Sequence, residues 1–489
     1  MNLQEALHII EKSLSYLYPE LILTGGILVL ITISLFKRIS SIVFSVVSIS
    51  ICLATISLLV EEGLLRASLF SGIIVKESFS TYLKILANIG SLVTCVMTLS
   101  SNNQRMKSAE FYALLLTIVL GGHFLVMSNN LLMVFISMEI ISISSYVLAG
   151  HANTKEASEG SLKYFLFGSV ASAIMLYGFS LLYGVTGTLD FATEGFVKGI
   201  TEYNSPILLI AGFMALAGFL FKVGAAPMHP WAPDVYQGAS VPVVAFLSVV
   251  PKLAGIGILI KFILVISAYG QSKYDWQAII SVVAILTLTV GNFSALAQRN
   301  LKRMMAYSSI AQTGFLLVGI AAYLPEGIQF MLFYATVYVA MNFIVFISLQ
   351  FFEQRNIWNT EHFAGTGRLL LWPSISMLIG LIALTGLPPT AGFTGKLFIF
   401  SSLWEAYHLS EKNILLWLFV FGLLNTVVSL FYYLKIPYYA FLKEGQSVEK
   451  GNFNLWENLL SLILVLVVLG LFFAPGLLMC WINSVNFVL

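Results

Sequence analysis

Long apolar runs, bounded by Lys/Arg, Gly, Pro and Asn, dominate the hydrophobic pattern of this chain. They predict fourteen membrane spans, near residues 18–36, 40–60, 79–100, 111–128, 130–149, 164–186, 206–237, 240–267, 277–297, 304–323, 328–351, 370–404, 414–436 and 457–481. A transmembrane helix needs about 20 apolar residues, so these runs absorb about 280 residues and leave only short connectors. No segment outside them is long enough to fold alone. The first run lacks a basic leading segment and a small-residue cleavage site, and it reads as a retained helix, not a signal peptide. The expected architecture is an all-α polytopic membrane protein.

Two of the spans are too long and are interrupted. The seventh breaks at Gly224-Ala225-Ala226-Pro227-Met228-His229-Pro230-Trp231-Ala232-Pro233, and the twelfth at Thr385-Gly386-Leu387-Pro388-Pro389-Thr390-Ala391-Gly392. Proline removes a backbone donor and clashes with the preceding turn, and lipid tolerates unwound backbone only where protein or trapped water satisfies it. The breaks fall five spans apart. Spans 4 to 8 and 9 to 13 therefore read as two copies of one unit inserted with opposite orientation, the pattern of an inverted-repeat transporter core. The chain divides into N-terminal spans (1–110), a first repeat (111–270), a second repeat (271–441) and a last span (442–489).

Composition narrows the class. Hydrophobic residues make up 58% of the 489 and charged residues only 10%, against about a quarter in soluble domains, so the partner is a lipid bilayer. The formal charge of +2 gives no electrostatic footprint for nucleic acid. Three cysteines, Cys52, Cys95 and Cys480, lie in apolar runs without a CxxC pair, which speaks against a disulfide scaffold or a cysteine-ligated iron–sulfur cluster. The histidines are scattered without metal-ligand spacing, no strand is expected, and no Gly-rich phosphate loop follows one. Basic residues concentrate in alternate connectors: Lys37, Arg38, Arg105, Lys107, Lys155, Arg299, Lys302, Arg303, Arg355, Arg368, Lys443 and Lys450. By the positive-inside rule these are cytoplasmic, which places both termini on the other face.

Four ionisable residues are expected well inside spans: Glu139, Lys222, Lys252 and Lys396. At ~2.5–3.5 kcal/mol each they cost on the order of 10 kcal/mol together unless paired or hydrated. Glu139 and Lys222 read either as a buried ion pair that fixes helix packing or as working groups. Lys222 and Lys396 flank the two breaks, where purely structural charge would be an odd choice. Lysine suits proton transfer: burial favours the neutral amine, a nearby carboxylate favours the ammonium, and moving the carboxylate toggles between them. Lys252, about 12 residues into its helix, lies near the midplane and is the natural central station. Lys261 and Lys435, nearer helix ends, read as snorkelling to an interface. His229 serves either to bridge lysines through water or to satisfy unwound carbonyls. His123 reads as a hydrogen-bonded packing residue, and Asn292, Gln312, Asn342 and Asn425 as helix-to-helix hydrogen bonds.

Several segments carry a family resemblance: Ser161 to Ser169 (SLKYFLFGS), Pro227 to Gly238 (PMHPWAPDVYQG), Asn300 to Gly314 (NLKRMMAYSSIAQTG) and Gly386 to Lys396 (GLPPTAGFTGK). These resemble the antiporter-like membrane subunits of respiratory complex I. A lysine in span twelve fits the N type of bacterial NADH-quinone oxidoreductase, because the M type typically has glutamate there and the L type carries a long C-terminal lateral helix. The resemblance implies two inverted five-helix repeats with broken helices 7 and 12, and a proton path through Glu139, Lys222, Lys252 and Lys396. It also implies a translocase complex whose NADH, FMN, iron–sulfur clusters and quinone are bound elsewhere, with neighbouring antiporter-like and small membrane subunits as partners in the bacterial cytoplasmic membrane. Residues 1–100 match only by pattern, and the resemblance assigns nothing there. The competing readings are a subunit of a multi-subunit cation/proton antiporter or of a membrane-bound hydrogenase, and a structural bundle that only anchors neighbours.

Overall fold

The computed structural model describes residues 3–485 apart from 37–39, 64, 102, 203–204, 269–270 and 446–452. Lys37, Arg38 and Lys450 of the basic connectors lie outside the described residues. The helices of the first half are α1 (Leu3–Leu14), α2 (Tyr18–Ser34), α3 (Ser41–Glu62), α4 (Ser78–Leu99), α5 (Ala109–Met127), α6 (Leu131–Gly150), α7 (Lys155–Thr186), α8 (Glu194–Glu202), α9 (Pro206–Val223), α10 (Ala232–Gly238) and α11 (Val241–Ile266). The second half contains α12 (Trp276–Leu296), α13 (Leu301–Ala321), α14 (Pro325–Glu353), α15 (Thr366–Leu369), α16 (Leu371–Thr385), α17 (Ala391–Ser410), α18 (Asn413–Leu442), α19 (Leu455–Phe473) and α20 (Gly476–Asn483).

All fourteen expected spans fall on helices. Among the described residues twelve helices are long and apolar enough to cross a membrane alone, and α2 qualifies together with α1, from which it is bent by 82°. The twelfth expected span is the broken pair of α16, 15 residues, and α17, 20 residues. The seventh is α9 followed by α10. Local chemistry sets the boundaries. Side chains of Ser108, Asn130, Thr154 and Asn300 accept backbone N–H bonds at the starts of α5, α6, α7 and α13, and Pro206 and Pro325 open α9 and α14, where the missing donor costs nothing.

Several features differ from the sequence reading, among them α8 and the interruption of the last span between α19 and α20; three others have a plain cause. A short antiparallel hairpin, β1 (Ala67–Leu69) and β2 (Ile74–Lys76), stands where no strand was expected. Its strands are too short to show an alternating pattern. Helix α1 went unpredicted because Glu5, Glu11 and Lys12 interrupt its apolar residues in sequence but not on its surface. Helix α7 begins at Lys155, well before the expected start at residue 164, since a polar first turn capped by Thr154 precedes its apolar part.

The helices differ in how fully the others enclose them. The most apolar 18-residue window is 100% buried in α11, 94% in α13 and 89% in α14, whereas α7, α18 and α19 keep most of theirs on the outside. Apolarity does not set this order: α13 has the lowest mean hydropathy of these spans, 1.4, whereas α18 and α19 have 2.3, because lipid accepts an apolar outer face as readily as protein does. With α11 and α13 so enclosed, their polar side chains have only protein to meet. At one end of the bundle, Asp234 on α10 accepts from Lys163 of α7 at 2.8 Å and from Arg303 of α13 at 2.9 Å, fixing the short half of the broken seventh span.

Candidate functional site

The first break begins at Gly224, whose φ of +69° is a left-handed helix cap that glycine adopts without strain. Unwinding frees backbone groups, and two threonines satisfy them. Thr313 on α13 donates to the Val223 carbonyl at 3.0 Å, and Thr287 on α12 accepts from the Ala226 N–H at 3.1 Å. Lys222, in the last turn of α9, reaches α6 on the far side. Its Nζ donates to the Ser142 hydroxyl at 2.6 Å and the Met138 carbonyl at 3.3 Å. Glu139, the residue after Met138, accepts from Ser172 of α7 at 2.5 Å. Lys222 thus contacts the stretch of α6 that carries Glu139, and the two interact electrostatically, but no direct ion pair joins them.

Lys252 follows Pro251, which removes one hydrogen bond from the α11 ladder. The ammonium points at α13, donating to the Ser309 hydroxyl at 2.6 Å, the Ser309 carbonyl at 3.0 Å and the Thr313 hydroxyl at 3.2 Å. Tyr236 of α10 and Tyr338 of α14 approach the same Ser309 hydroxyl at 3.1 and 3.3 Å. A Cβ on Gly224 would stand 3.6 Å from the Lys252 Nζ, so the central lysine lies against the first break.

The second break repeats the device with the lysine on its other side. Gly386 caps α16 at φ +85°, and Lys396, in the second turn of α17, folds back to donate to the Thr385 and Leu384 carbonyls at 2.8 and 3.1 Å. Its ammonium sits 4.0 Å over the Phe315 ring. A Cβ on Gly386 would come within 2.7 Å of the Lys396 side chain, so glycine is needed for contact as well as conformation. Gln312 on α13 donates to the same Leu384 carbonyl at 3.0 Å and to the Tyr433 hydroxyl at 3.1 Å, while Tyr334 donates to its amide oxygen and Ser308 bonds Tyr433.

One helix therefore connects all three lysines. Thr313 touches Lys252 and the carbonyl next to Lys222, Ser309 holds Lys252, and Gln312 shares an acceptor with Lys396. Gln312 was expected to bond between helices, and it does, but Ser309 and Thr313 were not singled out. Their signal was present: residues 309, 312 and 313 form an i, i+3, i+4 polar stripe in the middle of a span. His229 sits half-buried in the first break, and no hydrogen bond among the described residues joins it to any lysine.

A second set of buried charges was missed. Lys84, inside α4, lies 2.7 Å from Glu20 of α2, whose same oxygen is 2.8 Å from His123 of α5. The other imidazole nitrogen meets Asn88 at 2.8 Å. Lys84 and Glu20 thus join the four intramembrane charges read from the sequence. They were hidden because Glu20 stands in the first turn of its span and Lys84 in a stretch rich in small polar residues. Lys261 does not snorkel: it is 1% exposed and pairs with Glu77 at the start of α4. Protein surrounds α11 on every side, so no lipid interface lies within its reach. His123 is hydrogen-bonded as expected, though to a carboxylate.

Residues 128–429 match the model of the NADH:quinone oxidoreductase/Mrp antiporter transmembrane family. The chain belongs to that family. It is 35% identical to NADH-quinone oxidoreductase subunit N 2 of Chloroherpeton thalassium, over 97% of this chain and 95% of the relative. It is 39% identical to NAD(P)H-quinone oxidoreductase subunit 2 of Synechocystis sp., over 81% of this chain and 77% of the relative. A chain of respiratory complex I from Thermus thermophilus superposes with a TM-score of 0.81 at 27% identity, covering 96% of this chain and all of that one. A chain of the Mrp complex from Dietzia sp. shares the fold, with a TM-score of 0.78 at 19% identity over 98% and 94% of the two chains. The curated relatives place the chain with the N-type subunits within that antiporter-like family, and it is a multi-pass membrane protein.

Proposed function

We propose that this chain is the N-type, non-redox membrane subunit of a bacterial NADH:quinone oxidoreductase and that protons cross it by way of Lys222, Lys252 and Lys396. The observation that carries the reading is the run of polar side chains on α13 that touches the surroundings of all three lysines. Each ammonium is held by hydroxyls or carbonyls, which accept from a charged or a neutral amine alike. Ser309, with Tyr236 and Tyr338, supplies rotatable hydroxyls at the central station, and Gln312 with Tyr433 and Tyr334 leads to Lys396. Glu139 acts on Lys222 from one turn away, so a small movement of α6 changes the field there without breaking an ion pair. His229 would reach the lysines only through water.

Supporting the intake side, a polar cavity of about 710 Å³ lies where α10 ends and α11 and α13 begin, bordered by Lys302, Glu353, Gln350 and Gln354. The basic connectors assign that side to the cytoplasm and both termini to the opposite face of the inner membrane. The repeats run from α5 to α11 and from α12 to α18. Their packing supports this: α5 lies on α6 as α12 lies on α13, and α7 spans α9 and α10 as α14 spans α16 and α17. The NADH, FMN, iron–sulfur clusters and quinone belong to other subunits of the complex, and the antiporter-like and small membrane subunits are this chain's neighbours. The deciding experiment reconstitutes the assembled complex carrying Lys252→Met in vesicles and measures protons moved per NADH oxidised. A reduced ratio is expected. An unchanged ratio in an assembled complex overturns the central role of Lys252.

A further inference from the structure

Helix α1 is bent by 82° from α2, the first span, and so lies near the membrane plane at the level where that span begins. Leu7, Ile10 and Leu14 are 56%, 45% and 42% exposed, and at 100° per residue they form one stripe along α1. Lys12 projects from the opposite face by the same geometry. Ser13 accepts a hydrogen bond from the Phe70 N–H at 3.0 Å, tying α1 to the β1–β2 hairpin. Between them is a cavity of about 400 Å³ lined by Lys12, Arg66, Tyr16, Ser13, Ser68 and Ser71, together with apolar residues. No carboxylate lines it. Among the described residues no ion pair engages Lys12 or Arg66, whereas the adjacent Glu62 is occupied by Lys76 at 2.5 Å. Glu5 and Glu11 of α1 and Glu61 of α3 do not border the cavity.

We propose that this cavity binds the anionic headgroup of a membrane phospholipid. Lys12 and Arg66 take the phosphate, the serine and tyrosine hydroxyls take its remaining acceptors and the glycerol, and the Leu7–Ile10–Leu14 stripe lies against the acyl chains. Two free cations around a hydroxylated cavity, at the depth where an apolar stripe meets lipid, match an anionic amphiphile better than a soluble ion or a protein surface. None of its lining residues is among the partners of Lys222, Lys252 or Lys396.

The test reconstitutes the assembled complex in phosphatidylcholine vesicles with a trace of photoactivatable phosphatidylglycerol, or of photoactivatable phosphatidylcholine, and maps adducts by peptide. Phosphatidylglycerol adducts are expected on residues 7–16 and 66–71, with few from phosphatidylcholine. Lys12→Gln with Arg66→Gln should lower them about twenty-five-fold, at about fivefold per cation near a membrane surface. Excess inorganic phosphate should leave them unchanged. Equal labelling by the two lipids, undiminished labelling of the double variant, displacement by free phosphate, or no labelling because a neighbouring subunit covers α1 would each overturn the proposal. Both charges are at the surface, so folding of the variant is not in question, and its content of assembled complex provides the control.

Discussion

The bundle contains two groups of buried lysines that differ in what holds them. Lys84 of α4, Lys76 of β2 and Lys261 of α11 each face a carboxylate, from Glu20, Glu62 and Glu77. Beside the two breaks, Lys222, Lys252 and Lys396 donate hydrogen bonds to hydroxyls and carbonyls, with no carboxylate in direct contact. A lysine paired with a buried carboxylate cannot release its proton without stranding an opposite charge in a medium that solvates it poorly. A lysine held by neutral acceptors strands nothing. Burial is shared by both groups, so depth alone does not distinguish them. The chemistry of their acceptors does, and on the proposed function it is the second group that carries protons.

The largest effect expected from this contrast is on assembly. Lys84→Met leaves the Glu20 carboxylate with only His123, and removing one partner of a buried pair costs about 3–5 kcal/mol. Assembled complex on a native gel should fall sharply, and adding Glu20→Gln should restore most of it. Normal assembly of the single variant would mean that the pair does not hold these helices together.

Lys252→Met removes an ammonium whose partners keep other bonds, since Ser309 retains Tyr236 and Thr313 retains the Val223 carbonyl. Assembly should survive while protons per electron fall. Lys252→Arg should fail as well, because guanidinium does not give up its proton at physiological pH. Lys396→Ala should lower the proton ratio more than NADH oxidation, compared at matched assembly; a normal ratio would make Lys396 a cap for α16 and nothing more. The smallest effect belongs to Thr313→Val, which leaves the Val223 carbonyl without its donor and should cost about 1–3 kcal/mol. A lowered thermal midpoint with an unaltered proton ratio would assign Thr313 to the break alone, whereas a change in both would place it on the path.

The fold was legible because membrane solvation makes hydrophobic length nearly decisive, and because Pro227, Pro230, Pro388 and Pro389 announce where helices stop. Lys222, Lys252 and Lys396 stood out as buried charges for the same reason: charge is rare within spans. Pairing was not. Glu20 and Lys84 come from helices far apart in sequence, and nothing in either segment says that the other is its partner. Glu139 was read with the right neighbourhood, yet its carboxylate bonds Ser172, a small polar residue with no outward mark among many serines on α7. The α1 helix escaped because its apolar stripe appears only when the sequence is wound at 100° per residue.

Gln312 and Thr313 are consecutive residues, yet one bonds the α16 end of the second break and the other the α9 end of the first. Two units built on one plan would each be free to diverge if each carried its own fastener. Here both are fastened by adjacent positions of a single helix, about 1.5 Å apart along its axis. A rotation or slide of α13 that suits one break necessarily disturbs the other, and an insertion between the two residues would turn one of them about 100° away from its carbonyl. The halves are thus bound to a common history: substitutions around either break are acceptable only where the register of α13 survives, and the two proline-broken helices must drift together or not at all.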